Sequence, residues 1–520
     1  MSSNLLIAFL AILVVLLLRR LTHRSLKRQR LPPGPKGLPL LGNLWDVPAE
    51  YPWLTYAQWA ATYGDILYLD TPGNPTVVLN STQAAADLFE KRSRNYSDRP
   101  DFVMTKLAGW GFNLGFMRYS EDWRRHRRMV HQYFQPRTVP AYYPVQMKAT
   151  LVLLQQLHKS PNEFVRHVRH HAGSVIMKTV YGYDVDPNGD RFVEIVDRAL
   201  ESIRIIGNMG TFLVDSIPSL RYLPRWFPGA KFVSLADSWR KDVEEMKEGP
   251  FAYASESMAN GCEASSLVAV NLEKMKNISV PERMTHLEVT RNTAAVAFSV
   301  CPNAAKTVSV VLSTMLAFLL YPEVQARAQA ELDAVVGPTR LPNFDDRPQL
   351  PYIDAILLEA LRWNPVVPLS IAHRNVQEDV YRGYYIPAGT TVVGNTWAMF
   401  HDEKDYPNPH VFDPERFISA EGKETQPEPI AAFGFGRRIC PGRYLASNTA
   451  WIAIASMAST LSFTKAVDSE GQVIEPSHTF TGDFLRQKYS NFTHSFPLPF
   501  KCTIKARSAG AQALINSNEL

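Results

Sequence analysis

Hydrophobic and polar positions divide the chain into distinct regimes. Leu5–Leu18 (LLIAFLAILVVLLL) is an unbroken apolar run. From about Ser81 to Leu361, helical patterns dominate, broken by Pro-bearing loops such as Ile217–Gly229 (IPSLRYLPRWFPG). Asp65–Asn80 (DILYLDTPGNPTVVLN) predicts two strands joined by a Pro/Gly/Asn turn. Between Pro365 and Asn395, β-branched content rises and turns shorten, which predicts a small sheet. A helix is expected over Gly442–Leu461 and an extended segment over Phe496–Ala506. The pattern is mainly α with a small β portion, without internal repeats. It lacks βαβ alternation, which excludes doubly wound and barrel folds.

The apolar run is followed at once by basic residues. As a helix its 14 residues span about 21 Å, and counting from Met1 gives about 27 Å, enough for a thin internal membrane. A cleaved signal peptide carries its basic residues before the run, whereas here Arg19 and Arg20 come after it. The order favours an uncleaved transmembrane anchor with the body on the cytosolic side. Residues 19–30 contain six Lys/Arg; removing those six from the net charge of +5 leaves the remainder near −1, so no nucleic-acid partner is expected. Leu31–Asn43 (LPPGPKGLPLLGN) reads as a stiff proline-rich hinge. The expected organisation is anchor 1–18, basic segment 19–30, hinge 31–43, body 44–506 and a flexible tail 507–520. With 4 cysteines in 520 residues, a disulfide scaffold is excluded.

The chemistry concentrates in Phe433–Gly442 (FGFGRRICPG). Cys440 ends a glycine-rich loop, and Pro441 suits the first position of the helix that follows. Helix N-termini supply partial positive charge and free N–H groups, which stabilise a thiolate. Gly434, Gly436 and Gly442 leave little side-chain bulk for a large flat ligand to meet, and Arg437 and Arg438 offer charge to its anionic groups. Glu359 and Arg362, spaced i, i+3 among apolar neighbours, predict a buried ion pair that needs further donors. Trp123 and Arg127 share one face of a basic helix (DWRRHRRM). His167, His170 and His171 have metal-ligand spacing, but Arg166 and Arg169 between them repel a cation. The N-x-S/T triplets at Asn80, Asn95, Asn277 and Asn491 read as chance matches in a cytosolic body.

The series Phe433-x-x-Gly436-x-Arg438-x-Cys440-x-Gly442 resembles the haem-thiolate signature of the cytochrome P450 family. Glu359-x-x-Arg362, Pro414-Glu415-Arg416-Phe417 and Trp123-x-x-x-Arg127 resemble its other motifs, in family order, over about residues 1–506. The flavour is similar to microsomal members and to fungal secondary-metabolism members. The resemblance implies a single triangular domain with a small sheet near the hinge, and haem b held by the Cys440 thiolate. It implies propionate contacts from Trp123, Arg127, His373 and Arg438, and Arg416 as the third member of the Glu359–Arg362 cluster. Pocket walls are implied at Phe112, Phe116, Val366, Val367, Leu369 and Ile371, apolar side chains suited to terpenoid, steroid or polycyclic aromatic substrates. NADPH-cytochrome P450 reductase, drawn to Arg124, Arg125 and Arg128, is the implied electron donor, with cytochrome b5 a second partner. The endoplasmic reticulum membrane is the implied location.

One stretch departs from the family pattern. Where a small residue, Gly, an acid and Thr are expected beside the oxygen site, the chain has AFSVCPNAAKTVS (Ala297–Ser309). No Asp or Glu occurs between Glu288 and Glu323; Ala305 stands in the acid's place and Lys306 in the first Thr's. Thr307 is then the candidate alcohol, and Pro302 is expected to break the helix between about Phe298 and Ala304. Three explanations stay open: a tolerated substitution, a use of the fold for isomerisation or dehydration, or a misplaced exon boundary. A catalytically silent haem-binding membrane protein is the rival from another class.

Overall fold

The computed structural model describes residues 30–39, 41–48, 50–71, 73–206, 211–261, 265–277, 279–300, 305–419, 425–477, 479–480 and 497–517. The expected anchor, Cys262, Cys301, Pro302 and Asn491 lie outside these residues. The first half of the chain is helical: α1 (Pro52–Tyr63), α2 (Val103–Leu107), α3 (Glu121–Phe134), α4 (Tyr143–Lys159), α5 (Phe164–Tyr181) and α6 (Arg191–Ile206). Then follow α7 (Leu213–Ser216), α8 (Lys231–Ala259), α9 (Leu267–Met275), α10 (Val280–Val300), α11 (Ala305–Leu320) and α12 (Pro322–Val335). Helices α13 (Pro351–Trp363), α14 (Arg443–Thr460) and α15 (Ala509–Asn516) complete the set that frames the site. Where one long central helix interrupted near Pro302 is expected, α10 ends at Val300 and α11 begins at Ala305.

Strands are short: β1 (Ile66–Leu69), β2 (Thr76–Leu79), β3 (His373–Arg374), β4 (Asp379–Tyr381), β5 (Tyr384–Ile386), β6 (Thr391–Gly394), β7 (Leu461–Lys465) and β8 (Cys502–Ala506). The largest sheet has the order β1-β2-β6-β3. Its β2–β6 pair is parallel, Val77 opposite Val392, and joins segments more than 300 residues apart. That pairing carries the expected N-terminal hairpin and the Pro365–Asn395 segment into one sheet. The proline-rich hinge docks on it: Tyr68 N–H donates to the Pro33 carbonyl at 2.8 Å, and Asp70 N–H to Asn43 Oδ1 at 2.8 Å.

The main core forms around α14, where Trp451, Ala453, Ile454, Ala455 and Met457 are all fully buried. A helix apolar all round must sit at the centre of a domain, and α14 packs against α4, α11, α12 and α13. Its N-terminus therefore presents Cys440 from a rigid element. A second core joins α3, α5, α6, α8 and α10.

Residues 507–520, expected to be a flexible tail, contain an ordered helix. Ser508 caps α15 by accepting the Ala511 N–H at 3.0 Å, and Ile515 is buried at 0% exposure. Polar Ser, Asn and Glu residues at the end mask a short apolar stripe, Ala511 and Ile515, whose length is too slight to stand out in sequence. Ile515→Ala is expected to destabilise the domain by about 2–3 kcal/mol, read as a lower denaturant midpoint with an unchanged slope.

Candidate haem-binding site

The cysteine loop is shaped by backbone constraints. Gly434 and Gly436 have φ of +84° and +50°, which glycine tolerates best. A Cβ on Gly436 would lie 2.2 Å from the Phe89 carbonyl oxygen, so this glycine serves close packing against the Ala86–Lys91 turn. Phe435 seats the loop on Phe89 with ring centroids 5.1 Å apart. The Cys440 N–H donates to the Phe433 carbonyl at 2.8 Å, closing the loop just before α14, and Cys440 itself is half-exposed. A Cβ on Gly442 would meet nothing within 4 Å, so open space lies beside the cysteine as a flat ligand requires.

The two arginines of the motif diverge. Arg437 faces out and donates to the Tyr119 hydroxyl at 2.7 Å, whereas Arg438 is buried. Arg438 donates to the carbonyls of Ser97 (2.7 Å), Leu114 (3.3 Å) and Met117 (2.9 Å), and its guanidinium lies 4.4 Å from the Trp123 ring centroid. Burial, with Arg127 nearby, pulls its pKa down to about 10. Arg127 is half-buried; burial lowers its pKa and the Cys440 sulfur opposes that shift.

Sequence reasoning missed Arg99. It donates to the carbonyls of Gly115 (2.9 Å), Ile371 (2.6 Å) and Ala372 (2.8 Å), is 4% exposed, and is held well below the usual arginine pKa by burial and by Arg438. Its neighbour in sequence is an acid, Asp98, so nothing local marks it as a free cation. In the fold Asp98 accepts instead from Arg118 Nε and Nη2 at 2.9 and 2.6 Å and from Tyr119 N–H at 2.8 Å.

His373 belongs to the same group. Its Nδ1 lies 2.7 Å from the Tyr96 carbonyl, so that nitrogen carries the proton and donates, and the ring packs at a tilt on Phe89, centroids 4.2 Å apart. Burial first, then Arg99, holds its pKa well below the ordinary imidazole value. A carboxylate contact through Nε2 requires that nitrogen to take up a proton, which a nearby anion favours.

These residues fit a group bearing carboxylates. Arg99, Arg127 and Arg438 concentrate positive charge in a poorly solvated place, and the buried Trp123 Nε1 has no hydrogen-bond partner. An unmet buried donor costs about 1–3 kcal/mol, and clustered cations cost more. The propionates of haem, entering beside Cys440, would satisfy both.

The Glu359 cluster is the opposite case, because it is complete. Arg362 donates to both Glu359 oxygens, from Nε at 2.6 Å and Nη2 at 2.8 Å, and to the Phe400 carbonyl at 2.9 Å. Arg416 Nε and Asp413 N–H reach Glu359 Oε1 at 3.3 and 2.8 Å. Arg416 also donates to Pro407 and Asn408 carbonyls. This network braces the segment leading to the cysteine loop.

The six expected pocket residues do not form one wall. Arg99 ties Gly115 to Ile371, and a Cβ on Gly115 would lie 3.9 Å from Ile371 Cδ1, so the Phe116 and Ile371 stretches meet. Phe112 stacks on Trp110 at 5.9 Å. Val366, in contrast, is 3% exposed within the main core. Leu369 packs with Tyr56, Leu67, Leu69 and Val78, and Val367 is half-buried in the turn between them. The apolar run Val366–Ile371 conceals a reversal at Ser370, whose φ of +53° sends Leu369 and Ile371 different ways. Thr307 is buried in the first turn of α11. The three histidines of α5 bond separately, each through Nε2: His171 to Thr150, His167 to Ser160 and His170 to Val185 and Ser174, while the buried Nδ1 of each has no hydrogen-bond partner.

The family profile described as Cytochrome P450 matches residues 32–492. A cytochrome P450 monooxygenase of Armillaria gallica is 39% identical over 100% of both chains. Cytochrome P450 monooxygenase 208 of Postia placenta is 40% identical over 97% of this chain and 96% of its own. Tryptamine 4-monooxygenase of Psilocybe cyanescens is 39% identical over 93% of this chain and 94% of its own.

Cys440→Ala is expected to abolish the thiolate-type carbon monoxide difference spectrum. Replacing Cys262, Cys301 or Cys502 singly should leave it intact. A normal spectrum from the Cys440 variant would sink the assignment of the ligand.

Proposed function

This chain belongs to the cytochrome P450 family, and from that premise we propose that it is a membrane-anchored monooxygenase of apolar organic substrates, working in fungal secondary metabolism or xenobiotic oxidation. The observation that carries the reading is the buried arginine cluster with its unpartnered Trp123 indole beside the Cys440 loop. Haem with a cysteine thiolate supplies dioxygen activation, one oxygen atom entering the substrate and the other leaving as water.

The chain's own residues prepare that chemistry. The start of α14 stabilises the Cys440 thiolate by its dipole and free N–H groups. Trp123, Arg99, Arg127 and Arg438 would hold the propionates, with His373 alongside. Phe112, Phe116 and Ile371 offer an apolar surface that excludes water from the substrate. The charged group resting on Phe112 is Lys247, 5.7 Å from the ring centroid, which favours neutral apolar compounds over an amine. Thr307 is the alcohol available to move protons.

Electrons are proposed to come from NADPH through a reductase. Arg124, Arg125 and Arg128 lie on the exposed side of α3, although Glu121 pairs with Arg124 at 2.9 Å and Arg128 at 3.4 Å. Attachment to the endoplasmic reticulum membrane rests on the apolar run Leu5–Leu18. No single helix among the described residues is long and apolar enough to cross a membrane. Leu213, Ile217, Tyr222, Trp226 and Phe227 are all more than 40% exposed and suit a second contact with the bilayer surface. A non-oxygenase use of the fold, isomerisation or dehydration, is favoured by one observation, the missing acid between Glu288 and Glu323.

Deleting Met1–Arg30 should release a haem-loaded protein from carbonate-washed membranes. Retention there would assign the attachment to the exposed Leu213–Phe227 segment instead.

A carboxylate and a hydroxyl normally guide protons at the oxygen site. With Ala305 and Lys306 in their places, turnover of a screened terpenoid, steroid or polycyclic substrate should release much peroxide for little product. Restoring the acid–alcohol pair at Ala305 and Lys306 should raise product per NADPH severalfold. Tight coupling in the unaltered protein would leave Thr307 as the sufficient relay. Turnover without NADPH or oxygen would identify the non-oxygenase reading.

A further inference from the structure

One short segment supports both parts of the candidate site. Residues 86–99 carry Phe89, whose ring packs on His373 and Phe435, and also Ser97 and Arg99, which belong to the arginine cluster. Tyr96 lies within this segment and is fully buried. Its carbonyl accepts the His373 Nδ1–H at 2.7 Å, and its hydroxyl donates to Asp379 Oδ2 of β4 at 3.0 Å. This one residue therefore connects the His373 ring to a carboxylate near the surface.

Asp379 is held in turn. Arg92 Nη1 donates to both of its oxygens, at 2.9 and 2.8 Å, and to the Val380 carbonyl at 2.9 Å. The Asp379 side chain is 21% exposed and that of Arg92 39%, so water reaches the ion pair but not Tyr96. Burial first, then the Asp379 charge, raises the Tyr96 pKa, so the phenol keeps its proton and stays the donor. The rest of the β4–β5 hairpin has separate fastenings. Tyr381 donates its hydroxyl to Asp87 Oδ2 at 2.7 Å, and Asn95 Oδ1 accepts the Val376 and Gln377 N–H groups at 3.0 and 2.8 Å. Removing the Asp379 carboxylate thus leaves the strand in place and frees the Tyr96 hydroxyl.

The consequence falls on His373. Burial, Arg99 and Arg438 all disfavour a charged ring there, and the bond to the Tyr96 carbonyl opposes them. The same bond occupies Nδ1 and leaves the Nε2 edge for an anion.

We propose that Asp379 is a positioning residue for the cofactor: through the Tyr96 hydroxyl it fixes the Tyr96 carbonyl, through that carbonyl the orientation of His373, and thereby the hold on a haem propionate and the reduction potential of the iron. The inference rests on the reading that His373 lies against a propionate. A propionate less well held keeps more uncompensated negative charge, which favours ferric iron, so weakening this chain of contacts lowers the potential.

The test compares the full-length, haem-loaded protein with Tyr96→Phe, Asp379→Ala, Asp379→Asn and the Tyr96→Phe/Asp379→Ala double variant. Arg382→Gln is the control, since it breaks the Asp65 ion pair of the same hairpin. Haem transfer to apomyoglobin measures retention, and spectroelectrochemical titration measures the potential. Tyr96→Phe and Asp379→Ala should each speed haem loss about fivefold and move the ferric–ferrous balance about threefold toward ferric, the size of one hydrogen bond. The double variant should match the single ones, because both changes remove the same contact. Asp379→Asn keeps an acceptor for the hydroxyl and should fall between; Arg382→Gln should match the parent protein.

Unchanged haem loss and potential in Tyr96→Phe overturn the proposal. Equal changes in Arg382→Gln do the same, because the hairpin would then be loosened generally. Additive effects in the double variant also overturn it, since Asp379 would act by a route that bypasses Tyr96. If Asp379→Ala does not fold, Tyr96→Phe decides alone. His373→Phe tests the underlying reading. With a thiolate spectrum but parental haem loss and potential, that variant would overturn the propionate contact and the proposal together. Altered values there, beside a parental Tyr96→Phe, would overturn the Asp379 route only.

Discussion

Positive charge held out of water is the constraint around which this structure is arranged. Arg99 and Arg438 spend their donors on backbone carbonyls of Ser97, Leu114, Gly115, Met117, Ile371 and Ala372. Those contacts weld the loop before α3, the approach to β3 and the cysteine loop into one frame. They fix geometry but leave the charges uncancelled, since carbonyl dipoles cannot do what a carboxylate does. A site assembled this way is strained electrostatically until an anion joins it. The stability of the frame and the affinity for its cofactor are then two aspects of one free energy.

The Glu359–Arg362–Arg416 network shows the alternative solution a short distance along the chain. Both carboxylate oxygens and both guanidinium groups are satisfied internally, so the network asks nothing of a ligand. Buried ion pairs of this completeness add little net stability but strongly penalise any arrangement that separates them. Their contribution is registry: α13 and the Pro414–Phe417 turn hold one relation to each other, and the cysteine loop follows from it.

Much of this was legible in sequence where a residue's role is local. The two early strands, α14 and the Cys440 loop all follow from turn residues, periodicity or helix-end chemistry. The Glu359–Arg362 pair was visible because its neighbours Ile356, Leu357 and Leu361 are apolar, and the family motif supplied Arg416. What stayed hidden depends on long-range pairing or on a single backbone angle. Arg99 has an acid next to it in sequence, and only the folded chain reveals that Asp98 serves Arg118 instead. Val366, Leu369 and Ile371 look alike as letters, yet Val366 is buried in the main core and the left-handed backbone at Ser370 separates Leu369 from Ile371. The order of α15 rests on two apolar side chains finding a groove made by α4 and α14.

The docked proline-rich segment carries a mechanical consequence. Gly34 presses so closely on β1 that an added Cβ would stand 2.1 Å from the Tyr68 carbonyl oxygen, and the Arg30 carbonyl accepts the Tyr385 N–H at 2.8 Å. The chain thus leaves the domain at a fixed point and in a fixed direction. Whatever the preceding residues attach to, the body is mounted on a bracket and not hung on a string. The angle at which it presents its faces is set by the sheet on which the hinge docks.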